Sequence, residues 1–106
     1  MTLIYHPAAE VELWEAVEYY EHCQAGIGHK FSRSFQEVLS LLEQHPFAWP
    51  QLTGEIRRCL VPRFPYAVIY QWHDQCLEIL AVMQDRLRPR DWDEFVKYGF
   101  DDPPEG

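Results

Sequence analysis

A chain of 106 residues makes one domain, and with 47% hydrophobic and 15% aromatic residues it holds enough apolar material for a core, which excludes an intrinsically disordered chain. Its three cysteines, Cys23, Cys59 and Cys76, form an odd set without a C-x-x-C pair, so a disulfide framework is not expected and a reducing compartment fits. The net charge of −8 is segregated into −6 over residues 1–55, +3 over 56–90 with its six arginines, and −5 over 91–106, so the whole-molecule field repels nucleic acid, any phosphate recognition is local to 56–90, and a protein partner is easier to accommodate.

Residues 2–6 (TLIYH) are a short apolar run and predict a first strand. Pro7 suits the first position of a helix, where its missing N–H is not needed. Strong helix formers continue from Ala8 to about Cys23, and Leu13, Trp14, Val17 and Tyr20 recur at a spacing that predicts a core-facing side. Glu12, Glu15, Glu18 and Glu21 follow one another at i+3 with no lysine to pair with, which reads as a solvated, mildly self-repelling face. Gly26 and Gly28 break that helix. A second helix is predicted from about Gly28 to His45, with Phe31, Phe35, Val38, Leu39 and Leu42 on one apolar stripe, and Pro46 ends it. Two helices joined by so short a turn predict an antiparallel hairpin.

Residues 46–54 (PFAWPQLTG) are expected to be a loop by their prolines and glycine. Three strands follow: about Glu55–Val61, about Tyr66–Trp72, and about Cys76–Gln84 after a tight turn at His73-Asp74-Gln75. Their short links demand antiparallel neighbours. Strict alternation places Leu77, Ile79, Ala81 and Met83 on the helix side of the last strand and Leu80 and Val82 on the other. In the preceding strand Ala67 and Ile69 share one face, and Tyr66, Val68, Tyr70 and Trp72 the opposite one. The expectation is therefore an α+β domain, a helical hairpin on one face of a twisted antiparallel sheet, over residues 1–92, followed by an acidic, Pro-rich tail over 93–106 whose end (DDPPEG) is expected to be disordered.

No stretch approaches the ~20 apolar residues needed to cross a bilayer, and the start MTLIYHPAAE lacks a basic stretch followed by an apolar run, so neither a membrane role nor a secretory signal is expected and a cytoplasmic location fits. His6, His22, His29, His45 and His73 are scattered without a ligand spacing, and neither a phosphate-cradling glycine loop nor a nucleophile turn is present. No metal and no small-molecule cofactor are expected. What stands out is the arginine set Arg57, Arg58, Arg63, Arg86, Arg88 and Arg90. Planar guanidinium groups suit carboxylates and phosphates through paired hydrogen bonds, but they also serve as solvated charges on an acidic protein. Arg57 and Arg58 are adjacent on a strand and so face opposite sides. Tyr66 and Tyr70, with His73, either offer a stacking or anchoring surface on an open sheet face or simply cover that face.

Taken in order, several strings form a pattern: Ala16 with Tyr19-Tyr20-Glu21, Gly26-Ile27-Gly28 with Phe31, Pro46 with Trp49-Pro50, Ile56-Arg57-Arg58-Cys59-Leu60, Arg63-Phe64-Pro65-Tyr66 with Ile69-Tyr70, Ile79-Leu80-Ala81-Val82, and Arg88-Pro89 with Trp92. Over roughly residues 5–92 this resembles the RelE/ParE superfamily of type II toxin–antitoxin toxins, and its ParE-like branch of plasmid stabilisation proteins most. The resemblance implies two helices on a twisted sheet, growth inhibition, and a cognate antitoxin protein whose partly disordered segment folds onto the toxin. For a ParE-like toxin it implies binding of DNA gyrase without chemistry, with Arg57, Arg58, Arg63, Tyr66, Tyr70, Gln84, Arg86 and Arg88 as target contacts. For a RelE-like toxin it implies metal-independent cleavage of mRNA on the ribosome, with Arg58, Arg63, Tyr66, Tyr70, Arg86 and Arg88 as the catalytic set. A third outcome is a detoxified relative that only binds a partner. Relatives of this branch commonly carry histidine in an Ala-Val-x-His pattern where this chain has Gln84. An amide serves as neither acid nor base at neutral pH, which favours binding over cleavage.

Overall fold

The computed structural model describes residues 2–85 in the order β1 (Thr2–Tyr5), α1 (Pro7–Cys23), α2 (Ile27–Gln44), β2 (Gln51–Thr53), β3 (Ile56–Leu60), β4 (Tyr66–His73) and β5 (Cys76–Gln84). Arg86, Arg88, Arg90, Trp92 and the acidic tail lie outside the described residues. Apart from β2, the elements come where residue type and period predict them. In α2, Phe31, Phe35, Val38, Leu39 and Leu42 are all buried, as the apolar stripe requires, and Ser34 is buried among them.

The two helices pack closely because a glycine lies between them. A Cβ on Gly28 would sit 2.5 Å from the Val17 carbonyl oxygen and 2.9 Å from Glu21 Cβ, closer than atoms approach. Gly26 takes φ 92°, a left-handed conformation that glycine adopts without strain. The Glu21 carboxylate then accepts from the Gly26 N–H at 2.9 Å and the Gly28 N–H at 3.0 Å, satisfying donors at the start of α2.

The buried side of α1 is centred on Ala9 and Ala16, with Leu13, Val17 and Tyr20 half-buried against the same core. Trp14 departs from expectation and is 59% exposed. At 3.6 residues per turn it stands roughly 140° around the helix from Ala9, so the small alanines, not the large indole, mark the inner face.

The sheet order is β1-β5-β4-β3-β2. The three strands joined by short links are antiparallel, as expected, whereas β1 runs parallel to β5, from Thr2 opposite Cys76 to Tyr5 opposite Ile79, making the sheet mixed. Nearly the whole described chain separates these two strands, so no short link constrains their direction. Within the predicted loop 46–54, Gln51–Thr53 forms a short edge strand on β3.

Strict alternation in β5 fails at one point. Ile69 faces Ala81 while the next residue, Tyr70, faces Ile79, so Leu80 is a bulge with no partner. The extra residue reverses which side chains face the helices. Leu77, Ile79 and Val82 join the main core, while Leu80, Ala81 and Met83 gather on the other face with Ala67 and Ile69. The expected placement of Ala81, Met83 and Val82 is corrected accordingly. On β4 the alternation holds: Tyr66, Val68 and Tyr70 are buried in the main core with Trp72 packed against it. A tight turn at Asp74 and Gln75, both with positive φ, joins β4 to β5.

Candidate binding surface

The sequence singles out six arginines, of which Arg57 and Arg58 are expected on opposite sides of the sheet. The three within the described residues go to three different places. Arg57 pairs with Tyr70 across the ladder and therefore shares the helix side. Its guanidinium donates to the Trp49 carbonyl at 2.7 Å and the Phe47 carbonyl at 3.2 Å, and stands 5.4 Å over the Phe47 ring. It fastens the loop between α2 and β2. Arg58, opposite Ile69, lies on the other face and forms an ion pair with Asp85 just past β5. Arg63 takes φ 69° in the loop before β4, donates to Ser34 Oγ at 3.2 Å and reaches Glu37 at 3.7 Å, both on α2. Arg57 and Arg58 thus resolve as parity predicts, one to each side, with Arg58 on the face away from the helices. Arg57, Arg58 and Arg63 do not converge on one patch, because loop carbonyls, Asp85 and α2 each claim one of them.

The tyrosines are corrected as well. They lie beneath the helices, not on an open face. Tyr70 has no exposed surface, and its hydroxyl donates to the Pro46 carbonyl at 2.8 Å. Burial pushes that phenol up to about 12, against an ordinary 10. Tyr66 is 8% exposed and sits in an aromatic cluster with Tyr20, Phe31 and Phe64, at ring separations between 4.9 and 5.9 Å. Gln84, opposite Tyr66 at the end of β5, is exposed. His73 stands at the other end of β4, seven positions from Tyr66 or ~23 Å along a strand. The grouping of Tyr66, Tyr70 and His73 is therefore not formed.

His73 belongs instead to a polar cluster that crosses three strands. Its Nε2 meets Glu78 Oε1, to which Gln71 Nε2 donates at 3.2 Å, while His6 Nε2 lies 3.3 Å from the other carboxylate oxygen. The hydrogen bond to Glu78 holds the His73 imidazole above its ordinary 6.5, and the same bond holds the Glu78 carboxyl below its ordinary 4.5. Among the described residues no group of three or more His, Cys, Asp or Glu is placed to hold a metal ion. Of the cysteines, Cys59 is buried, its thiol pushed up to about 11 by burial, whereas Cys23 is exposed and Cys76 half-buried.

Composition did not reveal the role of Glu12. It reads as one of four solvated acids, yet its carboxylate accepts from the Val82 N–H of β5 at 3.0 Å. Burial raises its pKa. A usable signal was present in the period: with Ala9 and Ala16 as the inner face, Glu12 falls on the flank of α1, roughly 60° from that face. Trp14 and Val11 project from α1, and Trp14 edges a shallow cleft with Tyr5, Leu13, Val17 and Phe35.

The class of protein defined so far is a two-helix layer over a five-stranded mixed sheet with no helix, among the described residues, long and apolar enough to cross a membrane. No protein-family model and no curated protein matches the chain. Among solved structures it is similar to a chain of the chromosomal ParDE TA system from P. aeruginosa, with a TM-score of 0.58 and 14% identity over 79% of this chain and 95% of that one. The fold is ParE-like.

Proposed function

We propose that the chain is the toxin of a type II toxin–antitoxin pair, a ParE-like protein that works in the cytoplasm by binding a protein target, with DNA gyrase as the candidate. The observation that carries this reading is the ParE-like fold at 95% coverage of the ParDE chain, found on a sequence whose ordered motifs resemble the same branch. An antitoxin protein is the partner this implies. The acidic net charge of −8 supports a protein partner over direct capture of nucleic acid.

The RelE-like ribonuclease reading receives less support. It needs a proton donor and acceptor beside cationic groups. Tyr70 is enclosed and its phenol is pushed up to about 12. His73 stands at the far end of β4 from Tyr66, and Gln84 is an amide. Contact with a target falls to the exposed Gln84 and Arg63 and the half-buried Arg58, together with Arg86 and Arg88. Residues 1–92 serve as the toxin domain in this proposal and 93–106 as an acidic extension.

Induced expression tests the reading. Growth is expected to stop within a few generations and to resume when the small protein encoded beside this chain is co-expressed. Unimpaired growth would leave the detoxified relative. Growth arrest with new codon-aligned cuts in mRNA, mapped by primer extension, would replace the binding mechanism by cleavage.

A further inference from the structure

Among the described residues, the outer edge of β5 is paired along only part of its length. β1 pairs with it from Cys76 to Ile79, the His6 N–H closes the ladder on the Ile79 carbonyl at 3.0 Å, and the chain then turns into α1. Beyond that point no described strand flanks Leu80–Gln84 on this side, while the inner side stays paired with β4 as far as Tyr66 opposite Gln84. Those five residues offer ~17 Å of strand edge. Backbone groups alternate in direction along a strand. The Val82 N–H points outward, since it donates to Glu12 on α1 at 3.0 Å. Asp85 points inward, since its N–H donates to the Pro65 carbonyl at 2.7 Å. Gln84, two residues after Val82, therefore presents its own N–H and carbonyl outward, and it is exposed.

The flank of α1 overhangs this edge. Glu12, Glu15 and Tyr19 fall within roughly 60° of one another on the helical wheel, on the side from which Glu12 reaches Val82. Tyr19 is 56% exposed and stands edge-on to Tyr20 at 5.2 Å, which in turn lies 5.9 Å from Tyr66, the partner of Gln84. Glu15 is exposed, and its charge disfavours ionisation of Glu12. Among the described residues the edge is thus a slot with one amide held by a carboxylate, an outward-facing donor and acceptor at Gln84, two neighbouring acids with no ion pair, and an exposed aromatic ring.

The geometry points to this slot as a docking site for an extended, lysine- or arginine-bearing segment of a protein partner, which adds a strand to β5 along Leu80–Gln84 and sets a cation against Glu12 and Glu15. An added strand supplies a carbonyl to the Val82 N–H and releases the Glu12 carboxylate, and the segment's own cation then pairs with it. The alternation of a strand places every second side chain under α1, where Tyr19 receives an apolar or cationic neighbour. The inference stands on the sheet edge alone; if the toxin reading holds, such a segment would belong to the antitoxin.

The probe is a synthetic peptide of about eight residues alternating lysine and valine, long enough to span the edge, with two controls. One replaces lysine by glutamate, and the other is N-methylated at alternate amides so that it no longer pairs. Titration into the labelled full chain, read by amide NMR and hydrogen exchange, is expected to show saturable binding with slowed exchange of the Gln84 amide. The glutamate peptide and the N-methylated peptide are expected to bind at least about tenfold more weakly. Glu12→Gln keeps an acceptor for Val82 and so preserves the fold, and is expected to weaken the lysine peptide several-fold, as is the surface variant Glu15→Gln. The proposal is overturned if the lysine peptide does not saturate, if N-methylation leaves its affinity unchanged, or if the protected amides lie away from Leu80–Gln84. The peptide readout is separate from growth, so a harmless chain that still binds the peptide would remove the toxin reading and leave this one standing.

Discussion

Glu78 is the residue on which two histidines from distant parts of the chain meet. His6 follows β1 and His73 ends β4, so this one carboxylate ties the edge strand to the β4–β5 hairpin. The sign of the pH dependence follows from the two shifts. The raised His73 contributes stability that is fully present below its ordinary 6.5 and is lost as pH rises through its higher folded value. The lowered Glu78 contributes stability that is present above its ordinary 4.5 and is lost as pH falls through its lower folded value. Both contributions are complete between those two ordinary values. His73→Gln is therefore expected to lower the urea midpoint at about pH 5.5 and to leave it nearly unchanged at about pH 9. An equal loss at both values would mean that the imidazole acts by packing and not by charge.

At the scale of the element, the hairpin depends on the crossing at Gly28, whose missing side chain lets α2 lie against the Val17 carbonyl. Gly28→Ala is expected to cost about 2 kcal/mol in chemical denaturation, since the obstacle is backbone and has little room to move. An unchanged midpoint would show that the helices separate without penalty. Much of this layer was legible in the sequence. Glycine punctuation and the Phe31-Phe35-Val38-Leu42 stripe placed both helices, and alternation grouped the β4 side chains correctly, although Tyr66 and Tyr70 were read onto the face away from the helices. Other features were not legible because they are set by long-range pairing. The Leu80 bulge adds a residue without a change in composition, so alternation carried through it sends Ala81, Val82 and Met83 to the wrong faces. The direction of β1 is fixed by contact with β5 and leaves no local mark. The site was less legible than the fold. The positions of Arg57, Arg58 and Arg63 were plain, yet the carbonyls of Phe47 and Trp49, the carboxylates of Asp85 and Glu37, and Ser34 that draw them apart come together only on folding.

Across the described residues, the helix layer covers one sheet face and no described strand flanks Leu80–Gln84 on the outer side, which is the edge proposed to take an extended protein segment. Charge agrees with that use: acids dominate both ends of the chain and the net −8 turns away free nucleic acid. The ParE-like fold places the chain among architectures shared with a toxin–antitoxin system, and the function proposed rests on a target that is a protein. Supercoiling of relaxed plasmid by purified DNA gyrase is the measurement that addresses this most directly. Addition of the full chain at micromolar concentration is predicted to stop the reaction and to trap cleaved plasmid, with supercoiling restored once the cognate antitoxin is supplied. Undiminished supercoiling at every concentration, from protein shown to be folded, would contradict the account.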